Sequence, residues 1–436
     1  EVDPAAEHAA ETFRNLCVHG KRHLANGATV AQMVSVCKPA LNSQALSYEL
    51  RVALTEGLAR LVGSMRSSED ARQALLVLVD EPCKRLSELC HQIPPPQPNT
   101  APVALPQVAL ELAPHIAHQI NLISSSVRFC DSFAVDKHPV PPVLQGCWHL
   151  LQMAGHHCGV PQVIQALCEL YTKAMCALGH TMAPLVPSLL QQMRDTFCAT
   201  PVVGCLACIT QALELYGQEE DHVFDALSDV VERVIEAVCS WLQTSSEPEG
   251  EPELLTGFFE MCHRALVFRP GLLLSLDCVP MLFDAAVACV SHQEFQHTRA
   301  AVTFLCLFMA GTDAATQFRE STARCMQERG SRLVRECLTG LATASPINLI
   351  DHQVELMRVL AEACPSAIKG WLIATFNMPG FGCGTLPPQA PAMATFVQLI
   401  TEQPALSTAD FQSVVSDFSR MCRGKLSPDS LERYRR

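Results

Sequence analysis

The sequence predicts an all-α protein built by repetition, and three observations carry that expectation. Hydrophobic residues make up 49% of the chain while aromatics reach only 6%, so the apolar content is mostly Leu, Ala and Val, which suit helix packing. Those residues recur at helical spacing between short breakers. Runs that alternate polar with apolar residues, the mark of a half-buried strand, are scarce. A chain of 436 residues allows two or three ordinary domains or one long array.

Taken in order, the segments support the array. Leu46, Leu50, Leu54, Leu58, Leu61 and Met65 form one apolar face, and Val223, Leu227, Val230, Val231, Val234, Val238 and Trp241 form another. Pro82 sits inside an otherwise regular helix pattern, where a kink is expected. Asn26-Gly27, Gly159-Val160-Pro161, Gly217, Arg269-Pro270-Gly271 and Ser345-Pro346 punctuate the text. Breaks fall every ~15–25 residues, so a helix pair takes about 40, the period of a HEAT-type repeat. The expectation is a HEAT-like α-solenoid over residues 1–436, a right-handed superhelix of about ten antiparallel helix pairs. Separate helical bundles would show the same periodicity. Three interruptions read as loops: the Pro-rich 93–106, the acidic 244–252 and the Pro/Gly-rich 379–391.

Motifs for chemistry are thin. There is no nucleophile elbow and no phosphate-binding loop followed by Lys-Ser/Thr, so the chain reads as a non-enzyme with no cofactor. Cys205-Leu206-Ala207-Cys208 has zinc-like spacing, but no second pair follows and its flanks are apolar; structural zinc needs four placed ligands. Cys147, His149, His156, His157 and Cys158 cluster on one amphipathic segment, where ordinary helix-end residues are expected rather than a metal site. His292 and His297 are expected on the surface of a helix junction. The 22 cysteines lie on apolar helix faces, as with Cys168, Cys176, Cys239 and Cys306. There free thiols behave as small hydrophobes, which points to a reducing compartment. The most apolar window, Gly271 to Val290, is broken by Asp277, Pro280 and Asp284, so no membrane span is expected.

Charge is more informative. The formal net charge of −13 argues against a general nucleic-acid surface. From Gln211 to Glu253 twelve acids face one base, Arg233, so this window holds −11 of that total. Asp221, Asp225, Asp229, Glu232 and Glu236 are spaced four, four, three and four residues apart, which aligns them on one helix face. Such a field attracts basic partners, though an acidic stripe can also be only a solvated face. Arg319, Arg324, Arg329, Arg332 and Arg335 form a smaller basic stretch. The tail residues Arg420, Arg423, Lys425, Arg433, Arg435 and Arg436 read as a flexible, solvated run.

Four stretches carry a family resemblance: "WLIATFNMPGFGCGTLPP" (Trp371–Pro388), "DFSRMCRGKLSPDSLERY" (Asp417–Tyr434), "LELYGQEEDHVFDAL" (Leu213–Leu227) and "ALGHTMAPLVPSLLQQM" (Ala177–Met193). Together they resemble the C-terminal portion of importin-beta-family nuclear transport receptors, in the branch containing transportin-3 and importin-13. The Pro-Gly-Phe-Gly loop is then a connector near a C-terminal cap, with Gly380 and Gly382 relaxing the backbone after Pro379 ends a helix.

The resemblance implies a nuclear import receptor that shuttles between nucleus and cytoplasm. Its partners would be protein cargo on the concave face, nucleoporins and Ran-GTP. It also implies that Glu1 begins mid-solenoid, so the amino-terminal region that contacts Ran is not among these residues. The helix matching the family's arginine-rich one, Gln162–Leu178, has Lys173 and no Arg, so phosphorylated arginine-serine cargo lacks its charge-assisted partners there. The charge stripe makes a basic cargo the expectation, with Asp221, Asp225, Asp229, Glu232 and Glu236 as its binding residues. A static helical-repeat scaffold without a transport cycle is the alternative.

Overall fold

The computed structural model describes residues 4–43, 46–94, 106–134, 137–218, 222–245, 250–311, 319–386, 390–401 and 406–435. The only β contact among them is an isolated bridge between Cys383 and Leu386. The chain divides into two compact units, Glu1–Val230 and Val231–Arg436. Most of the Pro-rich loop lies outside the described residues, as do 246–249 of the acidic loop and 387–389 of the third.

The first unit contains α1 (Pro4–Leu24), α2 (Gly27–Asn42), α3 (Tyr48–Val62), α4 (Ser68–His91), α5 (Gln107–Val127), α6 (Val140–Cys158), α7 (Pro161–Leu178), α8 (Val186–Ala199) and α9 (Val203–Tyr216), and the start of α10 (His222–Thr244). First helices of successive pairs pack in series, α1 on α3, α3 on α5, α5 on α7 and α7 on α9. Second helices do the same, α2 on α4 and α4 on α6. This two-layer alternation is what a HEAT-like stack requires, because each pair leaves an apolar face only the next pair can bury.

Local chemistry sets the ends. The Asn26 side chain accepts from Thr29 N at 3.0 Å and starts α2, as Ser47 and Ser67 do for α3 and α4. Gly159 closes α6 at φ +53°, the left-handed conformation that glycine adopts without strain. α4 runs on through Pro82, which is buried. Leu50, Leu58, Leu61 and Met65 of the predicted face are buried, while Leu46 and Leu54 are only partly covered.

The second unit contains α11 (Pro252–Phe268), α12 (Pro270–Leu274), α13 (Val279–Cys289), α14 (Phe295–Ala310), α15 (Arg319–Thr339), α16 (Ile350–Ala363), α17 (Ile368–Phe376), α18 (Pro391–Thr401) and α19 (Thr408–Cys422). One layer runs α11, α14, α16, α19, and the other α13, α15, α17. The outer edge of the Trp371 ring presses on Gly330 of α15, where any Cβ would come within 2.3 Å of it. At the end of α15 the chain makes a π turn at Gly340–Ala344, whose carbonyls are met by side chains from the end of α19, while Gln353 of α16 supports the turn beside it. Arg423 donates to the carbonyls of Gly340, Leu341 and Ser345 at 2.8–3.2 Å. Ser419 Oγ donates to Leu341 O at 2.7 Å, and buried Gln353 bonds Val290 O and Ser345 Oγ.

The Pro-Gly-Phe-Gly connector closes this unit. Gly380 turns the chain at φ +81° and returns Phe381 to Phe376, which also meets Phe396 of α18 and Phe418 of α19. The expected role for Gly382 is not what the structure shows; Gly384 is the constrained glycine. It sits at φ +57°, and a Cβ there would lie 2.2 Å from Cys422 O. The next residue, Thr385, donates its N–H and hydroxyl to that same carbonyl at 2.6 and 3.0 Å, capping α19.

The tail corrects a second expectation. Rather than being a solvated run, it folds back: Arg433 and the Tyr434 hydroxyl bond the Asp417 carboxylate, which is 6% exposed. Arg435 reaches Glu432 at 2.8 Å and Gln398 at 3.0 Å. A buried carboxylate demands such partners, and the tail supplies them.

Two outcomes are expected. Gly384→Ala loses about 2–4 kcal/mol, from left-handed strain plus a backbone clash, whereas Gly382→Ala, with open space around it, melts like the parent. His118 of α5, half-buried with its ring 3.9 Å from Tyr48, is held by burial down at about 4 against an ordinary 6.5. Its folded value is the lower one, so the stability it contributes is present above pH 6.5 and lost as pH falls toward 4. Thermal melts across that window should be flatter for His118→Asn, although buried His138, shifted the same way, keeps part of the slope.

Candidate functional site

α10 is amphipathic in the way its spacing predicts. Val223, Leu227, Val230, Val231, Val234 and Val238 are all buried. The turn before it is anchored by Tyr216, a buried ring whose hydroxyl donates to Gly179 O at 2.7 Å. The alternation of layers in the first unit makes α9 a first helix and α10 a second helix.

The carboxylates divide into paired and unpaired. Asp221 lies outside the described residues. Asp225 is exposed and has no cationic partner among them. Asp229 is bonded by Arg194 of α8, which also binds Asp195 at 2.8 Å. Both carboxylates hold the guanidinium firmly in its charged form. Glu232 is half-buried, again without a cationic partner among the described residues. Glu236 pairs with Arg233 at 2.8 Å. The face predicted as a continuous stripe is therefore partly neutralised, with Asp225 and Glu232 as its open positions. Arg194 was not identified from the sequence. Its signal was available: it is the one base in α8, and second helices of adjacent pairs are neighbours in a stack.

Within the second unit the acidic field continues past α10. Cys278, at the start of α13, has its thiol pushed up to about 11 by burial and then by the charges of Glu232, Glu236 and Asp277. The basic stretch on α15 is engaged nearby. Arg329 and Arg332 bind Asp284 at 2.9 and 3.5 Å, and Arg335 binds Glu336 at 3.0 Å.

The residues weighed for metal do not converge. Cys205 and Cys208 are fully buried, and Cys205 Sγ lies 3.8 Å from Cys168 Sγ. Burial pushes the Cys208 thiol far up, which favours the protonated form over the thiolate that zinc binds. Cys147 is buried and hydrogen-bonded to Cys83, while His149 on the same helix is exposed. The side chains of His157 and Cys158 lie outside those described. Cys168 and Cys239 are buried and Cys306 is half-buried, but Cys176, expected on an apolar face, is exposed. His297 is also not the surface residue expected. It is fully buried, with Nδ1 3.1 Å from Glu294 and Nε2 2.9 Å from His292. The Glu294 side chain caps α14 at the His297 amide, and this cap draws the ring inward. No described helix is long and apolar enough to cross a membrane.

No family model matches the chain. In sequence it is similar to importin-13 of Mus musculus and of Homo sapiens, 23% identical over 98% of this chain and 43% of each relative. Importin-13 of Gallus gallus is 22% identical over 95% of this chain and 42% of that relative. The chain thus spans less than half the length of these relatives. A solved structure of importin-13 in its cytosolic state has the same fold, with a TM-score of 0.77 over 97% of this chain and 46% of that one, at 14% identity. Both comparisons agree with the resemblance to importin-beta-family receptors that the quoted motifs carry.

Thiol chemistry checks the assignment of the cysteines. Iodoacetamide at mild pH is expected to modify exposed Cys176 and Cys198 first and to reach Cys168, Cys205 and Cys208 only on denaturation, at rates that zinc does not change. Protection of Cys205 and Cys208 by one equivalent of zinc would restore the metal reading.

Proposed function

We propose that the chain works in a nuclear import receptor that carries basic protein cargo through the nuclear pore, with cargo held on the concave side of the stack, where second helices lie. The likeness to importin-13 over 98% of the chain is the observation that carries this reading. Nucleoporins and Ran-GTP are the further partners it entails, and shuttling between cytoplasm and nucleus is the consequence. Asp225, Asp229, Glu232 and Glu236, with Asp221 ahead of them, form the cargo-binding face.

Physical chemistry supports a steering role for that face. Carboxylates at four-residue spacing repel one another by a few tenths of a kcal/mol per pair, and a basic partner relieves that repulsion. Each exposed contact is weak and screened within about 8 Å at physiological salt. Several acting together raise the association rate more than they deepen the final affinity.

Asp225→Lys with Glu232→Lys reverses the two open positions without breaking the Arg194 pair. This variant should melt within about 1 kcal/mol of the parent and bind a basic cargo at least about tenfold more weakly at low salt. Arg194→Ala should act in the opposite direction, since it frees two carboxylates. Unchanged affinity in both variants would leave the stripe a solvated face. Cargo capture by the natural full-length protein, with and without GTP-loaded Ran, decides the transport cycle: release by Ran-GTP supports the receptor, and Ran-insensitive binding supports a static scaffold.

A further inference from the structure

In the first unit α6, α7 and α8 frame an open cleft of about 430 Å³ whose walls mix apolar and polar groups, with Gln152, His156, Ser188, Gln192, Asp195 and Thr196 among the polar ones. Two of the glutamines are fixed in place. Gln152 Nε2 donates to Ser188 Oγ at 3.0 Å. Gln192 Oε1 accepts from the hydroxyl of Tyr171, a buried ring, at 3.0 Å. Gly155 of α6 makes room for that second amide, since a Cβ there would stand 2.5 Å from Gln192 Nε2. Glycine inside a helix is a destabilising choice relative to alanine, and this close approach is what it permits.

Each amide has one half with no hydrogen bond among the described residues. Gln192 has its NH2 group and Gln152 its carbonyl oxygen. A fixed donor and a fixed acceptor without net charge match a peptide group, which offers one N–H and one C=O. The cavity also borders a charged corner. Asp195 lines it, and Arg194 binds both Asp195 and Asp229, so two carboxylates share one cation.

We propose that this cavity binds an extended, basic segment of a partner polypeptide. Gln152, Ser188 and Gln192 hold the main chain, and the Asp195–Asp229 corner takes a Lys or Arg side chain. For the partner's charge this rests on the functional reading above; for the main-chain contacts it stands on the cavity alone.

The test uses the full chain and a fluorescent peptide of about twelve residues alternating Lys and Thr, which favours an extended conformation. Two N-methylated versions block alternate backbone amides, which in an extended strand face opposite sides. Binding is expected for the parent peptide and for one N-methylated version, and lost for the other. Gly155→Ala gains helix propensity but displaces Gln192 from the buried Tyr171 hydroxyl and presses on Leu167, so it should fold with a melting temperature a few degrees below the parent's at most and weaken the peptide about fivefold to tenfold. A parent peptide that does not bind, two N-methylated versions that bind as well as it does, or Gly155→Ala that binds like the unaltered chain would each overturn the proposal. The outcomes separate the two readings. Loss of peptide in Gly155→Ala while Asp225→Lys/Glu232→Lys keeps its cargo removes the stripe and supports the cavity; the reverse removes the cavity and leaves the stripe.

Discussion

A helix pair in this chain has an apolar face that its own partner cannot cover. Everything else in the architecture follows from burying that face against the next pair. In the first unit it sets α1, α3, α5, α7 and α9 in one layer, with α2, α4 and α6 in the other. Stacking also brings helix ends of different pairs together, so a helix terminus is completed by a neighbour rather than by water. Tyr216 bonds the carbonyl at Gly179, Arg423 and Ser419 close the end of α15, and Thr385 caps α19. Terminal carbonyls left unpaired in these contacts would be costly, so the turns are as constrained as the core.

That rule separates what was legible in the sequence from what was not. The buried valines of α10 were legible because a helix repeats its faces at a fixed period. The punctuation at Asn26, Gly159 and Gly217 was legible because caps and breakers act within a few residues. Arg194 was missed because its partner Asp229 lies 35 residues away, and only the stack makes them neighbours. The tail was misread for a related reason: Asp417 is buried by α19, and nothing local says that Arg433 must return to it. The family motif correctly marked a connector, but local sequence could not decide which glycine was indispensable. Gly384 is fixed by the approach of Cys422 O, a contact made only after α19 docks.

Pairing also changes what the acidic window means. Counted along the sequence it holds most of the net charge, yet its charges are unequal in space. Asp229 and Glu236 each have a guanidinium partner, so their contribution to a long-range field is reduced. Asp225 and Glu232 have none among the described residues, so theirs is the less compensated charge. The field of such a helix face is set by its cations as much as by its acids.

Gly155 and Gly384 show two uses of the same freedom. At Gly384 the missing Cβ serves the fold, because a carbonyl and a positive φ leave space for nothing else. At Gly155 the neighbours are side chains, the Gln192 amide at 2.5 Å and a methyl of buried Leu167 at 3.1 Å. Backbone geometry fixes Gly384, whereas side-chain packing and the Tyr171–Gln192 bond favour glycine at 155. What a Cβ at Gly155 would disturb is the position of an amide already held by a buried tyrosine, on the wall of the cleft. A methyl group at Gly155 thus acts through side chains on a cavity wall, whereas one at Gly384 acts on the backbone itself.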